Sequence, residues 1–125
     1  MTEAELLNTI LNELVDYPGL RLFRAHLMGQ AWVGKRINMR MPAGCIALED
    51  GRPMRSGLPT GFSDLFGWFQ CGGVARYVAF EVKTATGRVS TEQANFLKFV
   101  ANSGGIAGVI RSSADAIEIL REARK

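Results

Sequence analysis

The stretch that decides the fold is FEVKTATGRVSTEQ, residues 80–93, together with the overlapping RYVAF at 76–80. Tyrosine, valine and phenylalanine favour extended structure, so residues 76–83 are predicted to form one strand. Side chains alternate between the faces of a strand, so Glu81 and Lys83 share a face. A carboxylate and an ammonium inside an apolar strand are costly to bury unless they are paired or bind something. The stretch therefore predicts a central strand that carries a functional site.

The composition is that of an ordinary globular protein with one core. The chain has 125 residues, of which 47% are apolar and 22% charged, and this is enough for a single domain over residues 1–125. No apolar run approaches the length of a membrane span, and the N-terminus lacks the pattern of a signal peptide. Cys45 and Cys71 form no CxxC motif, so we expect two free buried thiols in a reducing compartment, the cytoplasm.

Basic residues concentrate in the middle of the chain. Residues 17–63 contain seven bases against two acids, an excess that suits a polyanion such as nucleic acid. A solvated basic face is the alternative that charge alone leaves open. The candidate phosphate contacts in this segment are Arg24, Lys35, Arg36 and Arg40.

The order of predicted elements is helix, several strands, helix, strand, helix, which indicates an α/β protein. Apolar residues at helical spacing follow Thr2 to about Asp16. A glycine and proline loop at 56–68 leads into an apolar run, and EDGR at 49–52 is typical of a tight turn. The predicted extended segments are 20–28, 31–41, 45–50, 76–83 and 106–110, and the later helices begin near Ser90 and Ser113.

Asp64 is the candidate partner of the central strand. It lies 17 positions before Glu81, after a loop rich in glycine that could bring it to the end of the neighbouring strand. Two adjacent carboxylates repel unless a cation lies between them, and oxygen ligands suit Mg²⁺ or Mn²⁺. Such an ion can activate water and stabilise charge on a phosphate, and Lys83 could orient that water.

These residues carry a resemblance to a known family. Asp64 followed by Glu81-Val82-Lys83 resembles the D…(D/E)-x-K motif of the PD-(D/E)XK nucleases. More narrowly, GLPTGFSDLFGW, FEVKTATGRVSTEQANFL and GGIAGVIRS, within residues 57–112, resemble the virus-type replication-repair nuclease (VRR-NUC) family, often found in phages. One departure is Ser63, which stands where the motif has a proline.

The resemblance implies a fold and an activity. It implies a restriction-endonuclease-like core, a mixed central β-sheet flanked by helices in the order αβββαβ, with a C-terminal helix added. It also implies metal-dependent hydrolysis of phosphodiester bonds. Free-standing members of the family look like junction resolvases. A chain of this size is too small for a separate sequence-reading domain, which argues for recognition of branch geometry, and its size also suggests a homodimer with a second active site. The expectation is therefore a structure-selective DNA endonuclease, a Holliday (four-way) junction resolvase acting as a homodimer, in the host cytoplasm if phage-encoded.

The resemblance also implies roles for individual residues. Asp64 and Glu81 would bind metal, the Val82 carbonyl would complete the shell, Lys83 would be catalytic, and Gln93 would lie near the active site. Gln93 is also explained by a capping box with Ser90 at the start of a helix, and the two roles can coexist.

A glutamate from the first helix also serves the family's site, and Glu3 and Glu5 both qualify. Helical geometry places Glu3 among the apolar positions and Glu5 nearly opposite, which favours Glu3. Arg88, in the loop after the lysine, is a further candidate DNA contact. No small-molecule cofactor is expected. The alternative functions are a flap or single-strand nuclease, a restriction-type enzyme, and a nuclease-fold module that binds nucleic acid without cutting it.

Overall fold

The computed structural model describes residues 1–25, 31–54 and 57–125. These residues form three helices and six strands. The helices are α1 (Glu3–Leu14), α2 (Thr91–Asn102) and α3 (Ser113–Ala123). The strands are β1 (Leu20–Arg24), β2 (Ala31–Ile37), β3 (Ala47–Met54), β4 (Leu65–Cys71), β5 (Val74–Val82) and β6 (Ile106–Ile110).

The chain separates into two compact units. The larger comprises residues 1–25 and 59–125, and the smaller is the segment 26–58. In the larger unit, the strand order is β1-β4-β5-β6, in which β5 pairs with β6 in parallel and the other neighbours are antiparallel. This mixed sheet with its helices confirms the predicted α/β nuclease-like core. The single domain over residues 1–125 stays a prediction.

Two apolar layers hold this sheet. On one face, Ile10 of α1 and Leu120 of α3 pack with Phe80 and other strand residues in the main core. On the other face, Leu97 and Val100 of α2 pack against the sheet around Ala79. The central strand β5 is thus covered on both faces at its C-terminal half, where every residue from 78 to 82 is buried. Among the described residues, no helix is long and apolar enough to cross a membrane.

The smaller unit is a two-stranded hairpin of β2 and β3. The tight turn predicted at 49–52 is wrong, because these residues lie inside β3. Asp50 there has a positive φ of 51°, and the pairing shifts register between Val33 and Lys35. An extra residue in one strand produces this geometry, a β-bulge, which uses the same residue types as a turn.

Several boundaries differ from the sequence analysis. The first predicted strand ends at Arg24, and residues 26–28 lie outside the described part of the chain. A strand, β4, occupies the apolar run at 65–71. Helix α3 is capped by Ser112 rather than Ser113. Both cysteines are free, but Cys45 is exposed and Cys71 only partly buried, so the expectation of buried thiols is wrong.

Candidate active site

The register of β4 against β5 brings Asp64 opposite Glu81. The antiparallel pairing starts at Leu65 and Phe80, so the next position on each strand is Asp64 and Glu81. Two glycines with positive φ, at 72 and 73, form the tight turn that connects the strands. The spacing of 17 residues is therefore that of a hairpin. The position of Asp64 is therefore set by the pairing of β4 with β5 rather than, as the sequence analysis expected, by the glycine-rich loop before it.

Asp64 is fixed on both sides by backbone hydrogen bonds. Its carbonyl accepts from the N–H of Ala25 at 2.9 Å, which extends the pairing with the β1 side. Its Oδ2 accepts from the N–H of Val82 at 2.9 Å. The aspartate side chain thus satisfies a strand N–H just beyond the point where the β4–β5 pairing stops.

The loop before Asp64 packs against the start of α2. Gly61 has φ of +88°, and a Cβ there would lie 2.5 Å from the carbonyl oxygen of Glu92. Only glycine permits this approach. Ser63, which replaces the proline of the motif, is fully buried, and its Oγ donates to the carbonyl of Leu65 at 2.9 Å. The loop therefore locks Asp64 and the first turn of α2 together.

Three carboxylates converge at this point. Glu3, Asp64 and Glu81 each offer an oxygen atom, and these oxygens all lie within 4.8 Å of one another. Glu5 lies elsewhere, because its Oε2 accepts from the N–H of Thr2 at 2.9 Å in the capping box of α1. Of the two candidate glutamates, Glu3 is thus the one near Asp64 and Glu81.

Glu81 occupies the most unusual environment of the three. The residue is 1% exposed, and its Oε2 has no hydrogen-bond partner among the described residues. Burial raises the pKa of Glu81 from its ordinary 4.5 to about 8, with Asp64 contributing in the same direction and Lys83 opposing it. A buried carboxylate oxygen without a partner, beside two further carboxylates, fits a hard divalent cation. The donor set is therefore chemically suited to the expected metal.

Gln93 uses both ends of its amide. Its side-chain Oε1 accepts from the backbone N–H of Ser90 at 2.9 Å, and the backbone N–H of Gln93 donates to the Ser90 Oγ at 3.1 Å. These two bonds complete the predicted capping box. Its Nε2 donates to Glu81 Oε1 at 2.9 Å. One side chain therefore starts α2 and orients a carboxylate of the cluster.

Lys83 lies beside the same carboxylate. Its Nζ is 3.7 Å from Glu81 Oε1, and the residue is only 8% exposed. The strand alternation predicted from the sequence brings these two side chains to one face, as expected. The ammonium favours the ionised form of Glu81 and so opposes the effect of burial on its pKa.

The candidate DNA contacts occupy different parts of the chain. Arg24 on β1 is half-buried and donates through Nη1 to Asn8 Oδ1 at 2.9 Å. Lys35, Arg36 and Arg40 are exposed in the hairpin unit. Arg88 is exposed in the loop that follows Lys83. Of these, only Arg88 is close in sequence to the carboxylate cluster.

Sequence reasoning did not single out Arg111. It follows β6 directly, and its guanidinium donates to the carbonyls of Thr84 and Gly87, just after Lys83. No local sequence pattern marks this contact, because it depends on the parallel pairing of Val82 with Ile110, which brings together the residues that follow the ends of β5 and β6.

The mixed sheet and its carboxylate cluster have the architecture of a PD-(D/E)XK nuclease. A family model described as the VRR-NUC domain matches residues 38–114. This is more than half of the 125 residues, and the chain belongs to the VRR-NUC family. The match includes Asp64, Glu81, Lys83 and Gln93, whereas Glu3 lies before it. A comparison with curated protein sequences found no match to the chain.

Proposed function

We propose that the protein is a metal-dependent DNA endonuclease selective for branched structures, a four-way junction resolvase. One observation carries the proposal. The oxygens of Glu3, Asp64 and Glu81 lie within 4.8 Å of one another, and the Lys83 ammonium is 3.7 Å from Glu81. Family membership supports the nuclease chemistry, and the cluster supplies the groups that this chemistry requires.

The three carboxylates would hold Mg²⁺ or Mn²⁺, with the backbone carbonyl of Val82 as a further ligand. When bound, such an ion activates water and compensates charge on the phosphate. Gln93 fixes Oε1 of Glu81 by its hydrogen bond of 2.9 Å, so Oε2 would remain available to the cation. Asp64 keeps its orientation through the Val82 N–H.

Lys83 would act on the reacting phosphate itself. A buried ammonium on the same strand face as Glu81 can donate to the attacking water and to a phosphate oxygen. Because its partner Glu81 is also a metal ligand in this proposal, the two side chains meet at the same phosphate. This arrangement is the reason for a glutamate and a lysine two residues apart in an apolar strand.

Contacts of basic side chains with the phosphate backbone of DNA would supply the binding energy. Lys35, Arg36 and Arg40 are exposed on the hairpin unit and Arg88 lies after Lys83, and each is suited to a phosphate. Phosphate contacts carry no base sequence information, which favours recognition of branch geometry over sequence. A flap or single-strand nuclease, a restriction-type enzyme and a binding module remain the competing functions.

The test is cleavage of a labelled four-way junction, flaps, single strands and plain duplex by wild type and Glu81→Ala. We expect metal-dependent nicks on the junction with Mg²⁺ or Mn²⁺, none in EDTA, and none from the variant. Preferred cutting of flaps or duplex would replace the resolvase by one of the competing nucleases. Binding without cutting on every substrate would indicate the binding module, and that binding should weaken steeply with salt.

A homodimer would provide the two cuts that resolve a junction. Its support is an exposed apolar groove of about 560 Å³ between β5 and α2, whose lining includes Tyr77, Phe96, Phe99 and Val100. Phe99 is 74% exposed. Interface centres are enriched in aromatic residues and poor in charged ones, and the lining of this groove is largely apolar with one charged residue, Arg76.

Phe99→Asp should therefore convert a two-chain assembly into single chains while the fold persists, because an exposed residue contributes little to the core. Sedimentation would measure the mass, and junction cutting should change from paired to single nicks. Ala101→Asp, exposed on the side of α2 nearly opposite Phe99, adds the same charge away from the groove and serves as the control. A single-chain mass for wild type would count against the dimer.

A further inference from the structure

The turn after Lys83 lies against the side chain of that lysine. The N–H of Gly87 donates to the carbonyl of Thr84 at 3.0 Å, which closes a turn over residues 84–87. A Cβ placed on Gly87 would lie 3.4 Å from both Cβ and Cδ of Lys83. The backbone of the turn thus lies alongside the stem of the lysine.

Arg111 connects this turn to the rest of the unit. Its Nη1 donates to two carbonyls, that of Thr84 and that of Gly87, the latter at 3.1 Å. These are the first and last residues of the turn. A single guanidinium nitrogen therefore holds both ends of the turn at a fixed position.

Arg111 is itself anchored. Its backbone N–H donates to Asp115 Oδ2 at 2.9 Å, and the N–H of Asp115 donates to the Ser112 Oγ at 3.1 Å. Helix α3, which begins here, is secured in the core by Ala116 and Leu120, both fully buried. The contacts thus run from the core through α3 and Arg111 to the turn, and from the turn to Lys83.

We propose that Arg111 is a positioning residue for Lys83, which rests on the catalytic role proposed above for that lysine. A lysine has a long flexible stem, and its ammonium acts on a phosphate only if the stem is confined. The turn confines the stem, and Arg111 confines the turn. Displacement of a catalytic group by about 1 Å can cost about a hundredfold in rate.

A direct contact of the exposed Arg111 with DNA is the rival role, and kinetics separate the two. Loss of a phosphate contact weakens DNA binding and reduces its salt dependence by about one unit of slope. Loss of positioning lowers the rate of cutting at saturating DNA and leaves binding unchanged. The effect of an Arg111 mutation on the rate should also disappear when Lys83 has already been removed, because mutations of residues that act as a unit are not additive in their effects.

The experiment compares Arg111→Ala, Arg111→Lys and the matched control Arg121→Ala, which removes an exposed arginine near the end of α3, away from the turn. Single-turnover cutting should fall about ten- to a hundredfold in Arg111→Ala, with partial rescue in Arg111→Lys and no change in the control. In a Lys83→Met background, Arg111→Ala should cause no further loss. Wild-type rates in Arg111→Ala, or an equal fall in both backgrounds, would overturn the proposal.

A readout without catalysis separates this inference from the nuclease proposal. The ¹H–¹³C signal of the Lys83 ε-methylene can be assigned by its loss in Lys83→Met, since the other lysines are Lys35, Lys98 and Lys125. In wild type the chemical shift of this signal should differ from that of a free lysine, and in Arg111→Ala the chemical shift should move to the free-lysine value. An unchanged signal would refute the positioning role even if wild type cuts DNA. If wild type does not cut DNA but the Lys83 signal shifts in Arg111→Ala, only the nuclease proposal would be refuted.

Discussion

Glu81→Gln should be more stable than wild type in EDTA at pH 8 and less stable than wild type in excess Mn²⁺. Without metal, the variant replaces a buried carboxylate, one oxygen of which has no partner among the described residues, by a neutral amide of the same shape. We expect a gain of about 1–3 kcal/mol in the free energy of unfolding. At a metal concentration about a thousand times the dissociation constant, wild type gains about 4.1 kcal/mol, which exceeds that difference, and the variant loses this gain.

The pH dependence follows from the same carboxyl. Its pKa is 4.5 ordinarily and about 8 in the folded protein, so its contribution to stability is complete below pH 4.5 and is lost as pH rises through 8. The slope is at most about 1.4 kcal/mol per pH unit in that window. Melting in EDTA from pH 5 to pH 9 should therefore show a decline in wild type that is weaker in Glu81→Gln.

Glu118→Gln, at an exposed position of α3, is the control for the change of charge and should follow wild type in both conditions. A Glu81→Gln protein that melts below wild type in EDTA at pH 8 would contradict the burial argument. A wild-type melting temperature that does not rise when Mn²⁺ or Mg²⁺ is added would contradict the proposed metal site.

Lys83→Met should reduce the rate of DNA cleavage by about 10²–10³-fold. Methionine retains the apolar stem, so the packing beside the turn at 84–87 is preserved while the ammonium is removed. Binding of DNA, measured with Ca²⁺ so that no cutting interferes, should stay within a factor of a few. Stabilisation by Mn²⁺ should also persist, because the carboxylates are intact.

Lys98→Met removes an exposed lysine on α2 and should cut at the wild-type rate. If Lys83→Met cut normally, the assigned role of the lysine would be wrong. If it lost metal-induced stabilisation as well, the ammonium would be needed to assemble the carboxylate cluster, and its role would be structural.

The central strand and its site were predictable because their determinants are local. Strand alternation puts Glu81 and Lys83 on one face, and the Ser90–Gln93 capping box marks the start of α2. Helical geometry alone favours Glu3 over Glu5. Each of these inferences depends on residues within one element, where the period of the backbone fixes the direction of side chains.

The features missed were those that depend on pairing between elements. The strand β4 escaped notice because its sequence LFGWFQC is apolar on both sets of alternating positions and so shows no alternation, and only its partners on both sides define it. The residues 49–52 resemble a turn because a bulge needs the same residue types. The contacts of Arg111 require the parallel pairing of β5 with β6, which no local pattern reveals.

The pairing of β4 with β5 constrains how this chain can change over evolution. Asp64 and Glu81 face each other because equal numbers of residues separate each of them from the turn at Gly72 and Gly73. Residues can be added at the turn tip without altering that relation. A single residue inserted in either strand would shift its carboxylate by one position and reverse its direction. Insertions should therefore be found in relatives at the tip and be absent between the tip and the two acids.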